Sequence, residues 1–349
     1  MRPLARKTPG SAAGDRTAPQ SLLEKTIAPI TTSLPTTGWS PKRREESQSS
    51  HWLFPGLGCR YVGMGSDIIG RFATADRVVA QAGEILGYDV AAVCLEGSGR
   101  KVVPSRQEAQ VIYVIECAYA DVLRELGHRP RAVCGHSLGA WGAAYAAGLY
   151  DMPTGLRLVS FVEDLLEQVA VGEPQGMGVV LGLEAAMIQR LLTDHPGTYH
   201  ANWNSPLQHV VSGPAHQVDA LLEAARQFPV KQARRLNAQR ALHTPWMAGL
   251  LPPLRAELQA VVWRPPQCPF VSSHDGAWLR SIEAIQELLA TFLTLPVGWQ
   301  QTIQRLATAT QRSFVEAGPG NLLSTMMTFI DSQVAIRTAT ELIDAQVNA

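Results

Sequence analysis

Hydrophobic and polar positions change rhythm along this chain in a way that predicts strands and helices in alternation. His51-Trp52-Leu53-Phe54 is a short apolar run stopped by Pro55-Gly56 and Gly58, the pattern of a buried strand feeding a glycine turn. Helical spacing follows from about Ile68 to Leu86 and again from Arg106 to Leu126. Within the second stretch, Gln110 to Tyr119 is apolar nearly all round, as in a helix surrounded by core. After Gly127, Ala132-Val133-Cys134 predicts a short strand, and Leu138 to Leu149 a helix of small residues with Gly148 near its end. Strand, tight turn and helix in succession are an α/β signature with a parallel sheet.

Between about Gly176 and Ala238 the texture becomes strand (Met177–Leu183), helix (Leu183–Thr193), strand (Thr198–Trp203), strand (His209–Ser212), helix (Gln217–Gln227) and a last strand at Val230–Leu236. This β-α-β-β-α-β order predicts a small ferredoxin-like α+β unit, 176–238, inserted into a larger α/β subdomain made of 51–175 and 239–335. Residues 1–50 are rich in Arg, Lys, Ser, Thr and Pro with scattered apolar positions, and are expected to form a disordered tail. Residues 336–349 are assigned to a C-terminal tail.

Composition narrows the function classes. Lys+Arg and Asp+Glu both number 30, so the net charge of zero argues against nucleic acid or an anionic membrane as partner. The five cysteines are widely spaced and form no C-x-x-C pair, which argues against a zinc or redox centre and for thiols kept reduced. No uninterrupted apolar run reaches membrane-spanning length. A cytoplasmic, monomeric enzyme without metal is the expectation.

Gly135-His136-Ser137-Leu138-Gly139 is a G-x-S-x-G pentapeptide between a predicted strand and a predicted helix, the setting in which a strained turn presents a serine hydroxyl. A plain glycine-serine turn is the competing reading of these five residues. The N–H groups at the following helix start are oriented toward an oxyanion, with Leu138 as the first donor. Five further motifs are collinear with this one: Phe54-Pro55-Gly56-Leu57-Gly58-Cys59-Arg60-Tyr61-Val62-Gly63-Met64-Gly65, Ala201-Asn202-Trp203-Asn204-Ser205-Pro206 with Val211-Ser212-Gly213, Ala241-Leu242-His243-Thr244-Pro245-Trp246-Met247, Val271-Ser272-Ser273-His274-Asp275-Gly276, and Phe314-Val315-Glu316-Ala317-Gly318-Pro319-Gly320. From about Phe54 to Met326 the chain resembles the malonyl-CoA:acyl-carrier-protein transacylases and the acyltransferase domains of polyketide synthases.

That resemblance implies a hydrolase-like large subdomain with a short parallel sheet flanked by helices. It also implies a ping-pong serine acyltransferase of polyketide or fatty-acid biosynthesis. Acyl-CoA and a phosphopantetheinylated carrier protein would be its substrates, and no cofactor is bound. Ser137 would be the nucleophile, His243 the base, and the backbone N–H of Leu57 the second oxyanion donor; a main-chain carbonyl near Pro296-Val297-Gly298-Trp299 would orient the histidine. His136, Asn202, Leu242, Val162 and Arg240 are placed around the acyl pocket. The chain departs from the family at Leu57 and Arg60, where glutamines are usual, and at Ala140, where glutamate is frequent. It also departs at Val162, which aligns with an arginine that holds the malonyl carboxylate. A carboxylate facing valine would lack a cation, so the expected substrate is an uncharged acyl group. Arg240 is the alternative cation, against a solvent-facing role. An acyl hydrolase of misloaded carriers, or a degenerate relative that only docks on one, are the alternative functions.

Overall fold

The computed structural model describes residues 49–96, 105–168, 172–308 and 312–347. The apolar run at its start forms β1 (Ser49–Phe54), in which Trp52, Leu53 and Phe54 are fully buried. It runs parallel to β2 (Arg129–Gly135) on one side and to β9 (Ser313–Glu316) on the other. Outward of β9 lies β10 (Ala335–Thr338), also parallel; outward of β2 lie β7 (Phe270–Val271) and the antiparallel β8 (Trp278–Leu279). A sheet with parallel strands at its centre must be covered on both faces, and the helices do this. Among them are α1 (Ala73–Leu86), α2 (Val90–Leu95), α3 (Ser105–Glu125), α4 (Gly139–Ala146) and α5 (Met152–Gln168).

The helix α3 is the one that reads apolar all round, and every residue from Ala109 to Ala120 is buried. It packs against α1 and α5 and carries the main hydrophobic cluster under the sheet. The predicted helix from Ile68 begins later, at Ala73, because Gly63, Gly65 and Gly70 take positive φ and the chain turns repeatedly before them.

A second sheet is antiparallel and contains β3 (Gln175–Leu181), β4 (Tyr199–Ser205), β5 (Gln208–Pro214) and β6 (Gln232–Arg235), in the order β4-β5-β3-β6. Two helices, α6 (Ala185–Asp194) and α7 (Ala215–Ala225), bury Ile188, Leu191, Val218, Leu221 and Leu222 against it. The order of elements and of strands is that of a ferredoxin-like unit. The fold is thus α/β, with a hydrolase-like parallel sheet and a small α+β sheet.

Of the residues assigned to a C-terminal tail, 336–347 form regular structure. Ile336 pairs with Phe314 in the edge strand β10, and a helix at Ala339–Val347 follows it. Ala339, Leu342 and Ile343 are buried there, at the spacing of one helical face. The disordered tail expected over 1–50 lies outside the described residues except at its end, where Ser49 and Ser50 already belong to β1.

One core residue conflicts with its surroundings. Glu116, on α3, is fully buried between the first turns of α4 and the end of β1, with both side-chain oxygens unpartnered. Burial raises its carboxyl well above the ordinary 4.5, and the nearby Glu316 adds to this. A raised folded-state value means stability is fullest below the unfolded-state value and declines as pH rises toward the folded one. Glu116→Met should therefore add about 1–3 kcal/mol at neutral pH. Melting curves should show a gain of several degrees at pH 8, a smaller gain at pH 4, and a flatter pH dependence than the parent's.

Candidate active site

The nucleophile turn is built from two strand ends. At the end of β2, the N–H of His136 donates to the Phe54 carbonyl at 2.9 Å, tying the turn to the end of β1. Ser137 follows with φ 54°, a left-handed conformation that a residue with a Cβ adopts only when its surroundings impose it. Ala140 N–H then donates to Ser137 O and α4 begins at once. Glycine is needed on both sides: a Cβ at Gly139 would overlap the Phe54 carbonyl, and one at Gly56 would sit 2.5 Å from the His136 carbonyl. The strained serine is thus clamped between the first loop and the helix start.

His243 is the other described non-glycine residue with positive φ, at 62°. Its N–H donates to Leu293 O at 2.7 Å. Its ring lies with Nε2 2.8 Å from Ser137 Oγ, while Nδ1 is 2.9 Å from the Phe292 carbonyl and 3.2 Å from the Leu295 carbonyl. A carbonyl can only accept, so Nδ1 carries the proton and Nε2 is left to accept from the serine hydroxyl. This is the tautomer a general base needs. Main-chain oxygens take the place of an orienting carboxylate. They come from Phe292 and Leu295, just before the Pro296–Trp299 segment that the sequence pointed to.

The histidine is almost completely enclosed, and burial pulls its pKa from 6.5 down to about 4; the two carbonyls oppose the fall and His136 adds to it. His136 is itself lowered by burial, against the upward pull of Asn204. Both imidazoles are neutral at physiological pH.

None of the five residues placed around the acyl pocket is among those that line the small cavity beside the serine and histidine. The cavity beside Ser137 and His243 is walled by Ala140, His274, Phe292, Leu295 and Val297 among others. Val162 is 4% exposed and packs into the main core. Arg240 caps the end of α5: Nε donates to Leu166 O at 2.7 Å, and the two terminal nitrogens reach Gln239 O and Glu167 O. Arginine favours that position because the carbonyls at a helix C-terminus have no partners within the helix. His136 is bound to Asn204 Oδ1 at 3.0 Å and lies edge-on to Trp299. Asn202 is buried in β4, bridged to Val297, and Leu242 is packed between two apolar clusters. Leu57 stands on the first loop and is 37% exposed, and Leu138 precedes α4. Ala140 does line the cavity.

The geometry has counterparts in known proteins. The family model described as acyl transferase domain matches residues 51–337. The malonyl CoA-acyl carrier protein transacylase of Synechocystis sp. PCC 6803 is 33% identical over 273 residues, covering 78% of this chain and 90% of that protein. This chain belongs to the malonyl-CoA:acyl-carrier-protein transacylase family. The polyketide biosynthesis transacylase PksC of Bacillus subtilis is 30% identical over 283 residues, 78% of this chain and 94% of that one. Among solved structures, the Synechocystis transacylase superposes with a TM-score of 0.78 at 30% identity, over 85% of this chain and 99% of that one. The transacylase of Coxiella burnetii gives 0.80 at 27% identity, over 86% and 97%.

Like its family, this chain is a serine–histidine acyltransferase of the ping-pong type. The expectation of an uncharged acyl group is overturned by these relatives, since proteins named for malonyl-CoA recur among them, including those of Synechocystis, B. subtilis and Escherichia coli K12. The physical reason the sequence misled is that Val162 faces the core and forms no part of the wall beside the serine. Among the described residues no helix is long and apolar enough to cross a membrane.

The depressed histidine makes a kinetic prediction for the transacylase. With His243 as the base proposed below, kcat/KM for acylation should hold as pH falls through 6.5 and decline only nearer its lowered pKa of about 4. A pH profile of single-turnover acylation that bends near 6.5 would contradict this environment for the base.

Proposed function

We propose that the protein transfers malonyl from malonyl-CoA to the phosphopantetheine thiol of an acyl carrier protein, with Ser137 as nucleophile and His243 as base. The observation that carries the assignment is the 2.8 Å contact between Ser137 Oγ and His243 Nε2, with Nδ1 tied to two carbonyls. The malonyl group is inferred from the relatives that bear that name.

In the first half-reaction His243 Nε2 takes the hydroxyl proton as Ser137 Oγ attacks the thioester carbonyl. The carbonyl oxygen becomes an oxyanion facing the N–H groups of Leu138 and Leu57. Supporting this, Leu138 stands at the start of α4, and Leu57 follows Gly56, whose added Cβ would be 3.3 Å from the Ser137 Cβ. Collapse of the intermediate breaks the carbon–sulfur bond, and the proton on His243 passes to the departing coenzyme A sulfur. The second half-reaction reverses these steps: His243 removes the proton of the pantetheine thiol, the sulfur attacks the malonyl-serine ester, and Ser137 Oγ leaves with the proton returned.

Incubation with malonyl-CoA should add one malonyl group to the intact protein, faster than acetyl-CoA adds acetyl. Ser137→Ala should abolish the adduct, and His243→Ala should slow it by several powers of ten. Faster loading of acetyl than of malonyl would refute the substrate, and labelling of the Ser137→Ala protein would refute the nucleophile.

A further inference from the structure

His243 is oriented by backbone, so its aim depends on where the 292–297 segment is held. Most residues of that segment are anchored through their own main-chain groups. Leu293 O takes the His243 N–H at 2.7 Å, and the N–H groups of Thr294 and Leu295 both donate to Thr291 O. Val297 is tied twice to β4, donating to Ala201 O at 2.8 Å and accepting from Trp203 N–H at 2.9 Å. Pro296 is different. It has no N–H, so its carbonyl is the only main-chain group through which hydrogen bonding can fix it. That carbonyl lies 2.8 Å from His274 Nδ1.

His274 is well placed to act as this pin. Its own N–H donates to Ser272 Oγ at 3.2 Å. Its carbonyl is in close contact with Gly298, where any Cβ would overlap it, so the two loops approach backbone to backbone. Its side chain shares the cavity wall with Ser137, His243, Leu295 and Pro296. Because the Pro296 carbonyl can only accept, the proton sits on Nδ1, and it stays there whether or not Nε2 is also protonated.

We infer that His274 is a positioning residue for His243, its Nδ1–H fixing Pro296 so that the adjoining Leu295 carbonyl is aimed at the His243 ring. The inference rests on the proposed roles of Ser137 and His243 and is independent of which acyl group is carried. Removing the pin frees the Leu295 carbonyl and leaves Phe292 as the firm acceptor. Two effects follow: the base is misaimed toward Ser137, and its imidazolium loses part of the stabilisation that opposes burial. The groups that bear on His243 are Ser137 and His136 from the nucleophile turn, and none of them changes. Around His274 the charged neighbours are Asp275, next to it, and Arg305, which donates to the Asp275 carbonyl.

The test uses the full chain with His274→Phe, which keeps a ring but has no donor, and His274→Asn, whose amide presents a donor near the place of Nδ1; His274→Leu serves if the Phe variant is unstable. Two readouts are taken across pH: single-turnover acylation by malonyl-CoA, and labelling of the serine by a fluorophosphonate probe. For Phe or Leu, both rates should fall roughly tenfold with little change in KM, and the acid limb should move to lower pH. The Asn variant should recover most of the rate and the parent limb. Unchanged rates in the Phe or Leu variant overturn the inference. So does an equal loss in Phe, Leu and Asn without movement of the limb, which would make His274 a packing residue. If the parent fails to load malonyl but reacts with the probe, the substrate reading fails while the probe data still decide the role of His274.

Discussion

Everything at this site depends on a backbone approach so close that side chains are excluded from it. The first loop and the nucleophile turn meet with Gly56 against the His136 carbonyl and Gly139 against that of Phe54. Only there can Ser137 be held at a φ that its own Cβ disfavours. The strain is sustained because β1, β2 and the buried middle of α3 pack the turn into the core. The same approach brings Gly56 of the first loop against the serine, so one geometric constraint holds Ser137 and the loop proposed to carry the second oxyanion donor together.

The sequence made the elements and the serine turn legible because both have a residue-level signal. Alternation of strand and helix was visible from β1 to α4, and the β-α-β-β-α-β order of the small unit needed only apolar periodicity. Ser137 announced itself through flanking glycines whose purpose is steric. His243 had no local signature and emerged only from its place in a series of collinear motifs. The C-terminal strand was missed because a four-residue edge strand carries too few apolar positions to show a period, with only Thr338 buried in β10.

The surroundings of the dyad were much less legible. What orients His243 is the direction of two carbonyls, and every amino acid has one, so no residue type could mark Phe292 or Leu295. Reading selectivity from Val162 assumed that this helical position looks at the substrate, whereas its side chain contributes to the core. Arg240 was weighed as a binding cation on account of its charge, yet its guanidinium is spent on the carbonyls that end α5. Local sequence tells which groups exist; packing decides which of them face the cleft.

The order of strands in the parallel sheet bears on how this chain acquires its shape. Strand β1 lies at the middle of the sheet, yet one of its neighbours, β9, is drawn from residues near the other extreme of the described chain. A pairing across so much sequence closes a very long loop, which places it among the slow steps of assembly. During synthesis β1 and β2 can join while the flank meant for Phe314 and Val315 stays open. Until that flank is filled, Trp52 and Leu53 sit at a bare apolar edge, the kind of surface on which nascent chains stick to one another and chaperones act.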